Sequence, residues 1–282
     1  MKTIENISRM STFVKMMKKE GKSIGLVPTM GYLHEGHLSL VRAAKKHTDV
    51  VVMSIFVNPL QFGPKEDFEK YPRDLKHDEE MAREAGVDVI FYPSLKDMYP
   101  EGYATYVTVE ELTDNLCGES RPGHFRGVAT VVTKLFNIVK PEVAYFGQKD
   151  MQQALMIKKM ASDLNTDIEV KIMPIVREKD GLAMSSRNMY LSDAERRDAA
   201  VLYQSLKSAE TLMKNGERDA RKVIKAVEDM IKVKQSARIE YIKLVDARKL
   251  KDVKTITGEI ALAVAVFFSN TRLIDNITIT VK

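Results

Sequence analysis

Short apolar, β-branched runs alternate with stretches of helical spacing through the first two-thirds of the chain. Ile24–Val27, Val50–Val57, Val87–Tyr92, Val143–Phe146 and Ile168–Val176 read as strands. Between them, Leu38–Lys46, Leu75–Ala85, Val128–Val139 and Met151–Leu164 read as helices. Val50 to Val57 is apolar almost without a break, which predicts a parallel sheet covered on both faces. Alternating β and α units require right-handed crossovers, so the expected fold class is α/β with a doubly wound parallel sheet. In such sheets a ligand lies at the carboxyl ends of the strands, near the reversal of strand order.

The pattern changes past Glu178. Two polar stretches of helical spacing follow, Ser192–Lys214 and Arg218–Lys234, separated by Asn215-Gly216. Ile239–Val245, Ile260–Phe268 and Leu273–Val281 then read as clustered strands, with Asn270 and Asp275-Asn276 as punctuation. Helices followed by such strands predict a smaller C-terminal α+β domain. The boundary falls near 175–185. Residues 1–176 are expected to form a Rossmann-like nucleotide-binding domain and residues 177–282 a smaller domain that closes over the active site.

Composition narrows the classes. A chain of 282 residues that is 44% hydrophobic can bury a substantial core. Lys+Arg 44 against Asp+Glu 39 gives a net charge of only +5, and the basic residues are scattered, so no nucleic-acid partner is expected. The single cysteine, Cys117, excludes an internal disulfide and fits a reducing compartment. Met1–Glu20 is charged with helical spacing and does not read as a signal peptide. The longest apolar run, Ile260–Phe268, is far shorter than the ~20 residues of a spanning helix. A cytoplasmic protein with no membrane partner is expected.

The densest chemistry lies in Val27-Pro28-Thr29-Met30-Gly31-Tyr32-Leu33-His34-Glu35-Gly36-His37. An apolar run stops, a glycine-containing turn follows, and His-Glu-Gly-His opens an amphipathic stretch. Backbone N–H groups at a helix start are unpaired, and the helix dipole favours an anion there. His34 and His37 share one face of the first turn, and Gly36 lets a ligand approach the backbone. The bland alternative is a surface helix start that carries two histidines. As a metal pair they lack obvious further ligands among His47, His77 and His124.

Four further segments fall just after strands or before helices. Asn58-Pro59-Leu60-Gln61 offers neutral amides suited to a hydroxylated acid, although the same groups can simply cap a turn. Arg121, His124 and Arg126 concentrate positive potential before a helix expected near Val128; a solvated basic loop and a phosphate or carboxylate contact both remain open. In Gly147-Gln148-Lys149-Asp150, Lys149 can reach a phosphate as a mobile point charge, and Asp150 suits a helix start without any ligand. Gln153 lies one turn further on. Ser185, Ser186 and Arg187 suit a triphosphate grip in a flexible loop hinged at Gly181.

His-x-Gly-His at a helix start resembles the nucleotidylyltransferase superfamily, and Met184-Ser185-Ser186-Arg187 is similar to its second phosphate-binding signature. With Phe56–Phe62, Arg121–Phe125, Phe146–Asp150 and Arg272–Asn276 in the expected order, the chain is identified as a member of the pantothenate synthetase (pantoate–β-alanine ligase) family. The resemblance implies ATP-dependent condensation of pantoate with β-alanine, through a pantoyl adenylate, to pantothenate, AMP and pyrophosphate. It implies His34 and Lys149 at the phosphates and His37 as proton donor. It implies a nucleotide site made by Met30, Gly31, Tyr32, Leu33, His34, Glu35, Gly36, His37, Gly147, Gln148, Lys149, Asp150, Val176, Met184, Ser185, Ser186 and Arg187. Gln61 and Gln153 match the pantoate-binding glutamines, while Arg121 and His124 match more loosely. Mg²⁺ is implied on the ATP phosphates, with Asp78 as the position a metal contact would use, and a homodimer is implied as the assembly. Competing readings are another nucleotidyl transfer, onto a phosphate ester, and a non-catalytic nucleotide-binding protein.

Overall fold

In a computed structural model that describes residues 1–64 and 66–281, the chain divides into two units. The first comprises Met1–Thr113, Cys117–Gln148 and Gln153–Pro174; the second comprises Asp114–Leu116, Lys149–Gln152 and Ile175–Lys282.

The first unit is built on strands β1 (Lys2–Ile4), β2 (Ile24–Thr29), β3 (Val50–Ile55), β4 (Val89–Phe91), β5 (Val143–Gly147) and β6 (Glu169–Met173). They lie in the order β1-β4-β3-β2-β5-β6, and every neighbouring pair is parallel. Its helices are α1 (Ile7–Lys19), α2 (Glu35–Lys45), α3 (Leu75–Ala85), α4 (Leu95–Met98), α5 (Cys117–Ser120), α6 (His124–Val139) and, from Gln153 onward, α7 (Met151–Asp163). Successive side chains of a strand go to opposite faces. Val50 and Val52 therefore join the core with residues of α1, α6 and α7, while Val51, Met53 and Ile55 join the one with α2 and α3. Both faces are covered, which explains the unbroken apolar run. The chain runs outward from β2 through β3 to β4, then crosses back to place β5 and β6 on the other side of β2. The reversal of strand order lies between β2 and β5.

Strand and helix limits differ from the sequence pattern for local reasons. β1 has three residues, too few to show a period, and the pattern gave no sign of it. The strand expected over Ile168–Val176 stops at Met173 because Pro174 has no N–H for the ladder. α6 begins at His124 rather than near Val128; Gly123, at φ +84°, is its N-cap.

The second unit packs helices against a three-stranded sheet. α8 (Asp193–Ala199), α9 (Val201–Lys214) and α10 (Ala220–Lys232) precede antiparallel strands β7 (Ala237–Asp246), β8 (Gly258–Phe268) and β9 (Thr271–Val281). The stretch Ser192–Lys214 is thus two helices. Leu202 and Leu206 of α9, Val223 and Val227 of α10, and Leu262, Val264 and Val266 of β8 share one core. Asp275-Asn276 is not a turn: both residues lie inside β9, where Asp275 pairs with Val264. Among the described residues no helix is long and apolar enough to cross a membrane.

Candidate active site

The turn after β2 is held by its neighbours. Gly31 has φ +85°, and a Cβ there would lie 2.8 Å from Asp78 Oδ2 and 3.0 Å from Ile55 Cγ2, so conformation and space both require glycine. Asp78 is 1% exposed; its carboxylate accepts the N–H groups of Tyr32 at 2.9 Å and Leu33 at 2.7 Å. Burial pushes the Asp78 pKa up, and those two amides oppose the shift. Asp78 thus pins the turn that presents His34.

His34 is the N-cap of α2. Its Nδ1 accepts the Gly36 N–H at 3.1 Å, and His37 Nδ1 accepts the His34 N–H at 3.3 Å, closing a capping box made of two imidazoles. The ring centroids are 4.0 Å apart and the planes tilt by 33°. A backbone N–H can only donate, so each Nδ1 is an acceptor and each neutral ring carries its proton on Nε2. Two N–H donors are thereby set side by side at the start of a helix. Glu35, between them, forms an ion pair with Arg42.

The amide segment after β3 forms a 3₁₀ turn, Pro59–Gln61, packed directly on α6. A Cβ on Gly127 would lie 2.2 Å from the Leu60 carbonyl oxygen, so only glycine permits this approach. Gly127→Ala should therefore destabilise the protein by about 1–3 kcal/mol, the cost of overpacking a filled site, and lower Tm by several degrees in a thermal melt. Asn58 is 1% exposed and its Nδ2 donates to Gln61 Oε1 at 3.1 Å, while Gln61 Nε2 lies 3.0 Å from Met30 Sδ.

Arg121 and His124 support this turn from below. Arg121 pairs with Glu66 through two bonds of 2.7 and 2.5 Å and donates to the Gln61 carbonyl at 3.1 Å. Arg121 and burial act on Glu66 in opposite senses; burial is the largest influence and raises its pKa, yet the net shift is downward. His124 Nδ1 lies 2.8 Å from the same carbonyl and Nε2 3.2 Å from Arg121 Nη1. A carbonyl only accepts and a guanidinium only donates, so His124 is the Nδ1–H tautomer. The carboxylate that meets Arg121 here is the chain's own Glu66. Arg126 spreads its guanidinium over Tyr106, 3.8 Å from the ring centroid.

At the end of β5, Gly147 and Gln148 belong to the first unit, as does the half-buried Gln153 of α7. A Cβ on Gly147 would meet nothing within 4 Å, so its space is open. A cavity of about 620 Å³ opens at the carboxyl ends of β1 to β4; Met30, Gly31, Phe56, Asp78, Arg73 and Tyr92 are among its walls.

Lys149 and Asp150 belong to the second unit. Asn276 Nδ2 donates to the Lys149 carbonyl at 3.0 Å, tying this segment to β9. Burial pushes the Lys149 pKa down and the Arg187 and Arg272 charges add to the shift, while Asp150 and Asp275 work against it. An ammonium in such surroundings gains from a bound anion. The Asp275 side chain is fully buried at an apolar register position of β9, and Arg177 meets it with two bonds of 2.6 and 2.9 Å. Arg177 also lies 3.9 Å from the Tyr203 ring centroid and donates to the Gly181 carbonyl at 3.0 Å.

That ion pair anchors the segment with the serines. The Met184 N–H donates to the Val176 carbonyl at 3.0 Å, and Arg177 and Ala183 form a β-bridge, so Val176 and Met184 meet across a tight reversal. Gly181, read from sequence as a hinge, has φ +95°, and a Cβ there would lie 2.2 Å from Tyr203 Cδ1. Packing against that ring is a sufficient reason for its glycine. Ser185 Oγ accepts the Arg187 N–H at 3.2 Å and caps a 3₁₀ turn, Ser186–Tyr190. Asp78, Arg177 and Asn276 were not singled out by sequence as supports. Only Asp275 left a signal, a charge in an inward-facing position of an apolar strand.

A doubly wound parallel sheet with a helix N-terminus and two imidazoles after its central strand defines the class: an α/β protein equipped for an anionic ligand. Comparison with known proteins specifies it further. The family model described as pantoate-β-alanine ligase matches residues 2–278. Pantothenate synthetase of Acetivibrio thermocellus is 58% identical over 281 residues, covering 100% of both chains. That of Moorella thermoacetica is 57% identical over 282 residues, again covering 100% of both. The crystal structure of Thermus thermophilus pantothenate synthetase superposes with a TM-score of 0.94 at 44% identity, covering 98% of this chain and 99% of that one. The Francisella tularensis pantoate-β-alanine ligase, crystallised with βγ-ATP and β-alanine, gives 0.80 at 34% identity, covering 98% of this chain and 97% of that one. The chain belongs to the pantoate-β-alanine ligase family and is an enzyme of that kind.

Proposed function

We propose that this chain joins pantoate to β-alanine in two steps, on ATP and through a pantoyl adenylate, as a homodimer. The pantoate carboxylate attacks the α-phosphorus and pyrophosphate leaves. The β-alanine amine then attacks the activated acyl carbon, loses a proton, and AMP departs with the former carboxylate oxygen. No covalent enzyme intermediate is needed. The first step builds charge on the α-phosphate and on the departing pyrophosphate, which preorganised donors stabilise.

In this reading the Nε2–H groups of His34 and His37 face the phosphates, and His37 donates its hydrogen bond to the charge that develops there. Lys149, Ser185, Ser186 and Arg187 hold the triphosphate. Met30, Gly31, Tyr32, Leu33, Glu35 and Gly36, with Gly147, Gln148, Asp150, Val176 and Met184, shape the nucleotide site. Gln61 and Gln153 take pantoate. The tautomers fixed by the two-histidine capping box support the roles of His34 and His37, because they leave each ring with an Nε2–H donor at a helix start.

Mg²⁺ enters as part of the nucleotide substrate. Among the described residues no three His, Cys, Asp or Glu side chains gather to hold an ion, and both Asp78 oxygens accept backbone N–H groups. ¹⁸O in the pantoate carboxylate should appear in AMP after one turnover with Mg·ATP and β-alanine, read by mass spectrometry. Label found in phosphate or pyrophosphate, with none in AMP, would contradict the adenylate.

A further inference from the structure

We infer that Tyr99 is a positioning residue for the pantoate-binding amide of Gln61, acting through Asn58. The inference rests on the reading of Gln61 as a pantoate contact. It begins from the buried Asn58 amide, whose orientation follows from two backbone groups. The Leu60 N–H donates to Asn58 Oδ1 at 3.3 Å, and the Gly127 carbonyl accepts from Nδ2 at 3.1 Å. An amide N–H can only donate and a carbonyl can only accept, so the oxygen and nitrogen of Asn58 cannot be exchanged.

Everything further along the chain of bonds follows. Tyr99 Oη lies 2.9 Å from Asn58 Oδ1, so the hydroxyl is the donor. The second N–H of Asn58 goes to Gln61 Oε1. That bond turns the Gln61 amino group away from Asn58, toward Met30 Sδ and the substrate side. Gln61 therefore offers N–H donors to a ligand, the polarity that a carboxylate or hydroxyl oxygen needs. A ligand with a donor at that point would be refused.

Tyr99 is built to keep this role. Its ring packs against Phe56 at 6.1 Å and Tyr103 at 5.0 Å, and the Lys134 ammonium lies 5.8 Å from its centroid. Burial pushes its pKa well above the usual tyrosine value, and Tyr103 and Tyr106 add to the shift, so the hydroxyl keeps the proton it donates. Tyr99→Phe removes this bond and leaves the ring packing. Asn58 Oδ1 then keeps only the longer bond from Leu60, and the Asn58 amide that orients Gln61 is held less firmly.

The test is calorimetric titration of Tyr99→Phe, Gln61→Ala and the double variant with pantoate, and separately with ATP. We expect Tyr99→Phe to weaken pantoate binding roughly three- to tenfold, the scale of one neutral hydrogen bond, with ATP affinity and Tm near those of the unmodified enzyme. Gln61→Ala should weaken pantoate further and spare ATP, and the double variant should be no weaker than Gln61→Ala. Unchanged pantoate affinity in Tyr99→Phe beside a weakened Gln61→Ala would overturn the inference alone. Additive losses in the double variant would do the same, since Tyr99 would then act by another route. Unchanged affinity in Gln61→Ala would overturn both this inference and the reading of Gln61.

Discussion

Replacing His37 with alanine should slow pantoate-dependent pyrophosphate release by at least ~10²-fold, the scale of losing one preorganised donor to developing charge. The alanine removes two things, the Nε2–H donor and the Nδ1 acceptor that holds the His34 N–H at 3.3 Å. His37→Asn separates them. Its Oδ1 can take the place of Nδ1 and restore the cap, but nothing occupies the Nε2 position. We expect the asparagine variant to recover the Tm lost by the alanine variant while remaining as slow. Stopped-flow detection of pyrophosphate with saturating ATP and pantoate reads the rate. Near-normal release from either variant would remove His37 from the chemistry and leave it a capping residue.

Lys149→Ala should have an effect of similar size, at least ~10²-fold on the same step, because it removes a fixed charge at a site where burial strengthens electrostatics. The Lys149 pKa supplies a second, independent signature. Burial and the neighbouring Arg187 and Arg272 lower it, so in the free enzyme the ammonium loses its proton below the ordinary lysine range. The charge exists below that pKa and disappears above it. Since kcat/KM reports the free enzyme, kcat/KM for ATP should fall as pH rises through this lowered value. In Lys149→Ala that alkaline limb should be absent. A limb of the same shape in both enzymes would assign the titration to another group.

Legibility from sequence followed the range of the interactions. β2, β3 and β5 were readable because strands buried on both faces are apolar throughout, and that property is local. At its C-terminal end the pattern for β6 runs three residues past the strand, because Pro174 ends the ladder while the apolar run continues to Val176. β1 was invisible, being three residues at the sheet edge and largely exposed. Asp275-Asn276 resembled a turn by composition, yet the pair sits inside β9, where Arg177 compensates the buried charge.

The same limit governs the site. His34, His37 and Lys149 stand out because each follows an apolar strand and opens a helical segment. Their supports do not stand out. Asp78 reaches the Tyr32–Leu33 turn from α3, Glu66 meets Arg121 across the fold, and Tyr99 reaches Asn58 from beyond α4. None of these pairs has a spacing that a reader of one sequence can use, because the contact exists only after the sheet is wound. Arg121 illustrates the consequence. A basic residue in a glycine-containing loop suits an external anion as well as an internal one, and only the fold brings Glu66 to it.

The measurement that tests the account most directly is rapid-quench assay of pyrophosphate from Mg·ATP with pantoate in the absence of β-alanine. We predict a burst of one pyrophosphate per active site, dependent on pantoate, followed by steady turnover once β-alanine is added. Pyrophosphate formed only when β-alanine is already present, or formed without pantoate, would contradict a pantoyl adenylate made first on this site.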